Sequence, residues 1–292
     1  MRSTLRSLAG RLGGRASHGT VARLLRQQDI SPRVNVKRFT GPPHPDRDRQ
    51  FRHIARQVRD FGRSGDPRIS VDTKKKELIG NFKSAGRRWC QRADEVNAHD
   101  FPQDAECRAV PYGVYDPARN RGQMTVGVSG DTPRFAVHAI RRWLRREGRA
   151  AYPTAQRLLI QADAGGSNSC RSRAWKFELQ RLADEEQLEI TVCHYPTGAS
   201  KWNPVEHRLF GPISQTWAGY PLRDLPTMLG LMRGTTTQTG LRVRAVLTRK
   251  RYPTKQKVSN AAMRQLNIDH PSTCPVWNYT IKPRKLDEEN TE

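Results

Sequence analysis

The chain is 292 residues long and carries 52 Lys and Arg against 28 Asp and Glu, a formal charge of +24 with a pI near 10.7. That length holds one large domain plus a smaller one, and the basic excess runs through every part of the sequence, so nucleic acid is the first partner to expect. The five cysteines (Cys90, Cys107, Cys170, Cys193, Cys274) form no CxxC pair, no apolar run reaches the roughly 18 residues of a membrane span, and the Arg-rich start lacks a signal-peptide stretch; zinc modules, disulfide frameworks and membrane insertion are disfavoured and a reducing cytoplasm fits.

Leu5, Leu8, Ala9 and Leu12 recur at helical spacing, Gly13-Gly14 interrupts, and Ser17 precedes a second helical pattern with Val21, Leu24 and Leu25. This spells a helix-turn-helix over residues 1–28, whose second helix exposes His18, Arg23, Arg26 and Gln27 toward phosphates and base edges; an ordinary helical hairpin is the plainer alternative. The first helix begins almost at Met1, and such folds need a further helix over the core, so this unit reads as incomplete and loosely held. Residues 29–47 are proline-rich and basic, an extended linker. Phe51, Ile54, Val58 and Phe61 then make one face of a helix, completing a linker region of 29–67.

The alternation of Ile69 and Val71 with Ser70 and Asp72 predicts a strand over Arg68–Thr73. Residues 77–110 lack a sustained period and read as an irregular insertion. Strands follow near 111–116 and 123–128, a helix near 133–148, a strand near 157–163, a helix near 170–186, a strand near 188–193 and a helix near 204–217. Three strands, then helix, strand, helix, strand, helix is the order of an α/β, ribonuclease H-like mixed sheet flanked by helices, here spanning 68–220 with a basic C-terminal region over 221–292.

In that topology the first and fourth strands lie side by side, so Asp72 and Asp163 meet at one sheet edge, and Glu206 on the last helix faces the same point. Phosphodiester chemistry needs such a cluster, because Mg2+ prefers oxygen ligands and two ions about 4 Å apart hold both the attacking and the leaving oxygen. Each carboxylate alone has a plainer reading: Asp72 a solvated strand end, Asp163 a shaper of the turn into Ala164-Gly165-Gly166, Glu206 a capping partner of Asn203. Their joint placement favours the catalytic one.

The stretches Ile69–Leu78 (ISVDTKKKEL), Leu159–Asn168 (LIQADAGGSN) and Cys193–Phe210 (CHYPTGASKWNPVEHRLF) resemble the bacterial insertion-sequence DDE transposases of the Rhodopirellula type. Trp175–Ala183 (WKFELQRLA), Gly234–Leu241 (GTTTQTGL) and Trp277–Arg284 (WNYTIKPR) extend the resemblance over most of the chain, although Ala164 stands where the family more commonly carries glycine. The resemblance implies a transposase with Asp72, Asp163 and Glu206 as catalytic, metal-holding triad. It further implies Mg2+ or Mn2+ as cofactor, two ions per site, and double-stranded DNA as partner, with transposon ends and target handled by a homo-oligomer.

Further DNA contacts are expected from Lys74 and Lys75 beside Asp72. Lys201 and Trp202, in the loop before Glu206, are placed for phosphate neutralisation and base stacking. The run Arg249, Lys250 and Arg251 suits nonspecific backbone binding. His194 shares the loop before Glu206, while His207 points about 100° away from Glu206 around the helix and is not assigned to metal. The competing functions are a transposase remnant that only binds DNA and a ribonuclease H-like nuclease; the presence of all three carboxylates and of the helix-turn-helix weighs against them respectively.

Overall fold

A computed structural model describes residues 4–31 and 44–284, which belong to two compact units, Met1–Pro43 and His44–Glu292. Most of the linker expected over 29–47 lies outside the described residues. In the first unit, α1 (Leu5–Arg11) and α2 (His18–Gln27) are two helices joined by the glycine turn, the helix, turn, helix order expected over residues 1–28. Thr4 and Ser7 cap each other reciprocally at the start of α1, Ser17 accepts from Thr20 N–H at 3.1 Å, and Gly13 and Gly14 take the left-handed backbone of the turn (φ 61° and 78°). Val21 is buried, whereas Leu5, Leu12 and Leu24 stay 40 to 48% exposed, so the hairpin closes little core of its own.

The second unit opens with α3 (Arg47–Ser64), whose Phe51, Ile54, Val58 and Phe61 follow one face, and which stops at Gly65 in the left-handed conformation. The strands are β1 (Arg68–Thr73), β2 (Glu77–Ile79), β3 (Cys107–Asp116), β4 (Arg121–Gly127), β5 (Arg157–Ala162), β6 (Glu189–His194), β7 (Arg242–Thr248), β8 (Ile268–Asp269) and β9 (Asn278–Ile281). The helices interleaved with them are α4 (Pro133–Trp143), continued through a wide π turn (Leu144–Gly148) into α5 (Arg149–Ala151), then α6 (Arg173–Glu186), α7 (Gly211–Thr216), α8 (Leu225–Arg233) and α9 (Asn260–Arg264). Among the described residues no helix is long and apolar enough to cross a membrane.

These strands make one mixed sheet in the order β7-β4-β3-β1-β5-β6-β9-β8, with β2 paired to β3. At its centre β4, β3 and β1 form an antiparallel meander, and β1, β5 and β6 run parallel, which is the ribonuclease H-like arrangement. Ile69 and Val71 of β1 and Leu158, Ile160 and Ala162 of β5 point into a core closed by α4 and α6. The other face packs against α3 on one side and against α7 and α8 on the other. The alternation of β1 therefore sends Ser70 and Asp72 toward α7 while Ile69 and Val71 enter the α4–α6 core.

Two stretches are more ordered than their sequence implies. The 77–110 insertion begins with β2, held by Glu77↔Ala109 and Ile79↔Cys107 pairing, and β3 starts at Cys107, four residues ahead of the expected strand. The sheet does not end at the expected boundary of 220: the basic C-terminal region supplies β7, beside β4, and β9, beside β6. The physical reason is that Val243, Ala245, Tyr279 and Ile281 are buried, which offsets the basic residues alternating with them on β7.

Candidate active site

Asp72 is the penultimate residue of β1, and Asp163 directly follows β5; parallel pairing of Val71 with Ala162 brings the two to the same end of the sheet. Glu206 arrives from the other direction, as the first residue of a π turn (Glu206–Phe210) that leads into α7. That turn lies directly on the sheet because β3 and β4 carry Gly113 and Gly122 beneath it: a Cβ on Gly113 would sit 2.4 Å from Phe210, and one on Gly122 2.3 Å from Leu209. Neither is there for a special backbone angle; both make room for the residues that follow Glu206.

A buried clamp fixes Glu206 relative to Asp72. Ser70 Oγ donates to Asn203 Oδ1 at 2.5 Å, Asn203 Nδ2 donates to the Val71 carbonyl at 3.1 Å, and Val205 N–H donates to Ser70 Oγ at 2.8 Å. Ser70, Asn203 and Val205 are all fully buried. Asn203 thus ties the loop to the strand through its side chain, while only its backbone carbonyl accepts from Glu206 N–H at 3.0 Å; the capping-box reading of this pair does not hold.

Asn168 joins the other two carboxylates. Its Nδ2 reaches Asp72 Oδ1 at 3.5 Å and also hydrogen-bonds the Asp163 carboxylate. The amide cannot flip without loss, because Tyr112 O–H donates to its Oδ1 at 2.7 Å. Asp163 also accepts from Gly165 N–H, so its turn-shaping role coexists with its place in the cluster. Its backbone carbonyl accepts from His194 Nδ1 at 2.7 Å. With that proton on Nδ1, His194 Nε2 accepts from Tyr279 O–H at 3.0 Å, and the Tyr279 oxygen accepts from Trp175 Nε1 at 2.7 Å. His194 is fully buried, and burial lowers its pKa to about 4, so it is a neutral structural support and not a loop residue open to DNA.

Electrostatically the site is short of positive charge. Burial raises the Asp72 carboxyl well above its usual range, and Asp163 and Glu206 push it further; Asp163 and Glu206 are likewise raised, burial being the largest cause for each. Asp72 and Glu206 lie close enough to influence each other's titration. Asp163 Oδ1 is buried with no hydrogen-bond partner. Among the described residues no group of three or more His, Cys, Asp or Glu side chains is arranged to hold a metal ion. An all-oxygen donor set with mutual repulsion and one orphaned carboxylate oxygen nevertheless suits a hard divalent cation.

The remaining sequence-nominated residues separate into groups. Lys75 is exposed beside the site. Lys74 differs from expectation: it is buried, with Nζ 4.5 Å above the Trp217 ring, and burial lowers its pKa while Glu77 and Glu206 act in the opposite direction. Buried over the Trp217 ring and within electrostatic reach of Glu77 and Glu206, it is not a free surface cation. Lys201 and Trp202 are exposed, Lys201 Nζ lying 5.6 Å from the Trp202 ring centre and Trp202 meeting Phe51 edge-on. His207 Nε2 is turned to the Lys201 carbonyl, away from the carboxylates. Arg249, Lys250 and Arg251 are exposed just past β7, which runs parallel to β4 and ends level with Gly127, on the carboxylate side of the sheet. Arg23 and Arg26 are exposed on α2 of the first unit. Sequence reasoning missed Ser70, Tyr112 and Asn168; Ser70 and Asn168 lie inside the motifs quoted above, and only their polarity at otherwise apolar or turn positions marked them.

A mixed, ribonuclease H-like sheet with acidic side chains gathered at the ends of its two central parallel strands defines the structural class. Within that class, the chain belongs to the Rhodopirellula transposase DDE-domain family, whose pattern matches residues 1–283. No curated protein matches it. Among solved structures it is similar to the Mos1 transposase paired-end complex with left transposon end (12% identity, TM-score 0.47) and to the Mos1 mariner paired-end complex with Mn (15% identity, TM-score 0.44). In both cases 77% of this chain and 64% of the other are covered, so the chain spans about 64% of the length of the solved structures it matches.

Proposed function

We propose that this protein is a DNA transposase that cleaves a DNA strand at an element end and joins the freed 3′-hydroxyl to target DNA, with Asp72, Asp163 and Glu206 as its catalytic carboxylates. The observation that carries this reading is the convergence of the three on one sheet end, in a setting that leaves Asp163 Oδ1 buried and unpartnered. Mg2+ or Mn2+ held by these three residues would supply charge neutralisation at the scissile phosphate and a lowered pKa for attacking water. The chain's own groups contribute geometry. Asn168 and the His194 contact hold Asp163, the Ser70–Asn203 clamp holds Glu206 at its distance from Asp72, and Lys74 balances charge behind Glu206. Lys75, Lys201 and Arg249–Arg251 are available to the DNA backbone, and Trp202 to a displaced base.

Asp163→Asn tests the assignment, since it removes a ligand oxygen's charge without adding bulk. Nicking of supercoiled plasmid in Mg2+ or Mn2+ should disappear while retention of DNA in a gel shift persists. Nicking at the unaltered rate in this variant would refute the triad.

A further inference from the structure

The end of the sheet opposite the carboxylates carries a concave surface of about 250 Å3, rimmed by Arg119, Arg121, Arg146 and Arg244 with Asp116 and Glu147 at its sides. Topology puts it there. β3 runs antiparallel to β1, so Asp116 lies where β1 begins, and the turn from Asp116 to Arg121 carries Arg119. Arg121 of β4 stands beside Arg242 of β7 in the ladder, and Arg244 follows two residues on, hence on the same face. Like charges side by side on neighbouring strands are destabilising.

That cost is only partly offset among the described residues, by the ion pair of Arg244 with Glu147 and by Asp116 near Arg119. Among the described residues the guanidinium groups of Arg119, Arg121 and Arg146 make no hydrogen bond or salt bridge, Arg119 acting on Asp116 only through space. Asp116 is buried and turned inward, accepting from Tyr152 O–H and from the backbone of Ala118 and Arg119. Glu147 Oε1 forms an ion pair with Arg244 Nε at 3.4 Å, though without hydrogen-bond geometry, so Arg244 is the one rim arginine with a carboxylate partner among the described residues. The same helical stretch shows what a structural arginine looks like here: Arg141, Arg145 and Arg149 are each matched by Glu185 or Glu186 of α6. Around this concavity only two carboxylates, Asp116 and Glu147, stand among four arginines, and only Arg244 is ion-paired, whereas along the helix each structural arginine has its glutamate.

We infer that this arginine cluster binds the phosphodiester backbone of duplex DNA, as a contact surface separate from the cutting site. The inference rests on the reading of the chain as a DNA-acting enzyme. Guanidinium forks on strand and helix suit phosphate oxygens. The rim exposes no large apolar side chain, so it lacks the anchor that a protein partner uses. DNA held here is a stretch other than the one being cut at Asp72, Asp163 and Glu206, either the second duplex of the reaction or the flank of the first.

The test is the salt dependence of duplex binding by the full chain, wild type against Arg119→Gln/Arg121→Gln/Arg146→Gln. Each lost phosphate contact removes about 0.9 from the slope of log affinity against log salt, so the triple variant should lose about 2 to 3. Arg141→Gln/Arg145→Gln, which removes cations already neutralised by glutamates, should lose far less. If the triple variant does not fold, the single Arg146→Gln variant should still show a loss of about 0.9. An unchanged slope in a folded variant overturns the inference and leaves the transposase reading standing. So does loss of self-association in sedimentation with the slope intact, which would make the surface a contact between copies of the chain. Absence of DNA binding by the wild type would instead overturn the DNA-acting reading itself.

Discussion

Replacing Asn203 with alanine separates the clamp from the carboxylates, because the Asn203 side chain hydrogen-bonds Ser70 and the Val71 carbonyl and neither Asp72 nor Asp163. Its amide makes two hydrogen bonds inside a fully buried site, one from Ser70 Oγ at 2.5 Å and one to the Val71 carbonyl at 3.1 Å. Alanine leaves both partners without it, and each buried polar group so stranded costs about 1 to 3 kcal/mol. The expected destabilisation is about 2 to 6 kcal/mol, a large part of a typical folding margin of about 5 to 15 kcal/mol. Urea titration with tryptophan fluorescence measures the loss. Metal-dependent plasmid nicking, assayed at a temperature where the variant is still folded, should fall at least about tenfold, since a misplaced catalytic group costs that much or more. Ser70→Ala should be non-additive with Asn203→Ala, because both changes remove the same bond. A variant within about 0.5 kcal/mol of wild type, nicking at the wild-type rate, would refute the idea that this clamp positions Glu206.

Gly113→Ala should destabilise the protein by about 1 to 3 kcal/mol through overpacking against Phe210, and should reduce nicking beyond what the lost stability explains; thermal melting alongside the plasmid assay separates the two. Neutralising Arg249, Lys250 and Arg251 to Gln should lower the salt slope of DNA binding, and an unchanged slope would mean that this segment does not touch the backbone. His138 has its pKa lowered to about 4 by burial, with Lys250, Arg141 and Arg142 adding to the effect. Its neutral form therefore contributes stability that is present above pH 6.5 and is lost as pH falls toward 4. Because the ring is partly exposed, a loss of about 1 kcal/mol is expected over that window; urea midpoints from pH 7 to 4.5 should fall less steeply for His138→Gln than for wild type.

The sequence announced the central strands and helices because their burial is periodic. β1 coincides with the expected Arg68–Thr73, β5 and β6 lie within a residue of expectation, and α3, α4 and α6 follow their apolar faces. It was less informative where burial is short or mixed with charge. β2 is three residues long and owes its existence to pairing with β3, and on β7 arginines alternate with Val243 and Ala245, so a basic tail and an edge strand read alike. The helix carrying Glu206 was placed correctly, but its opening π turn depends on Gly113 and Gly122, two strands away in the fold, and no local pattern encodes that.

The carboxylates themselves were legible for a reason that also explains why their supports were not. Acidic side chains at strand ends stand out against apolar neighbours, and the topology that unites them follows from element order alone. Ser70, Asn203, Asn168 and Tyr112 act through hydrogen bonds between segments far apart in sequence, and in the sequence each resembles an ordinary strand, cap or turn residue. Burial raises all three carboxyls, Asp163 and Glu206 add to the rise at Asp72, Glu206 adds to it at Asp163, and one Asp163 oxygen has no partner. Groups that repel do not stay together by themselves. Rigid polar contacts have to hold each one from behind, and these four residues together with His194 do so from the strand, loop and turn on which the carboxylates sit. Removing the supports should therefore free the carboxylates to separate even when all three remain in the sequence.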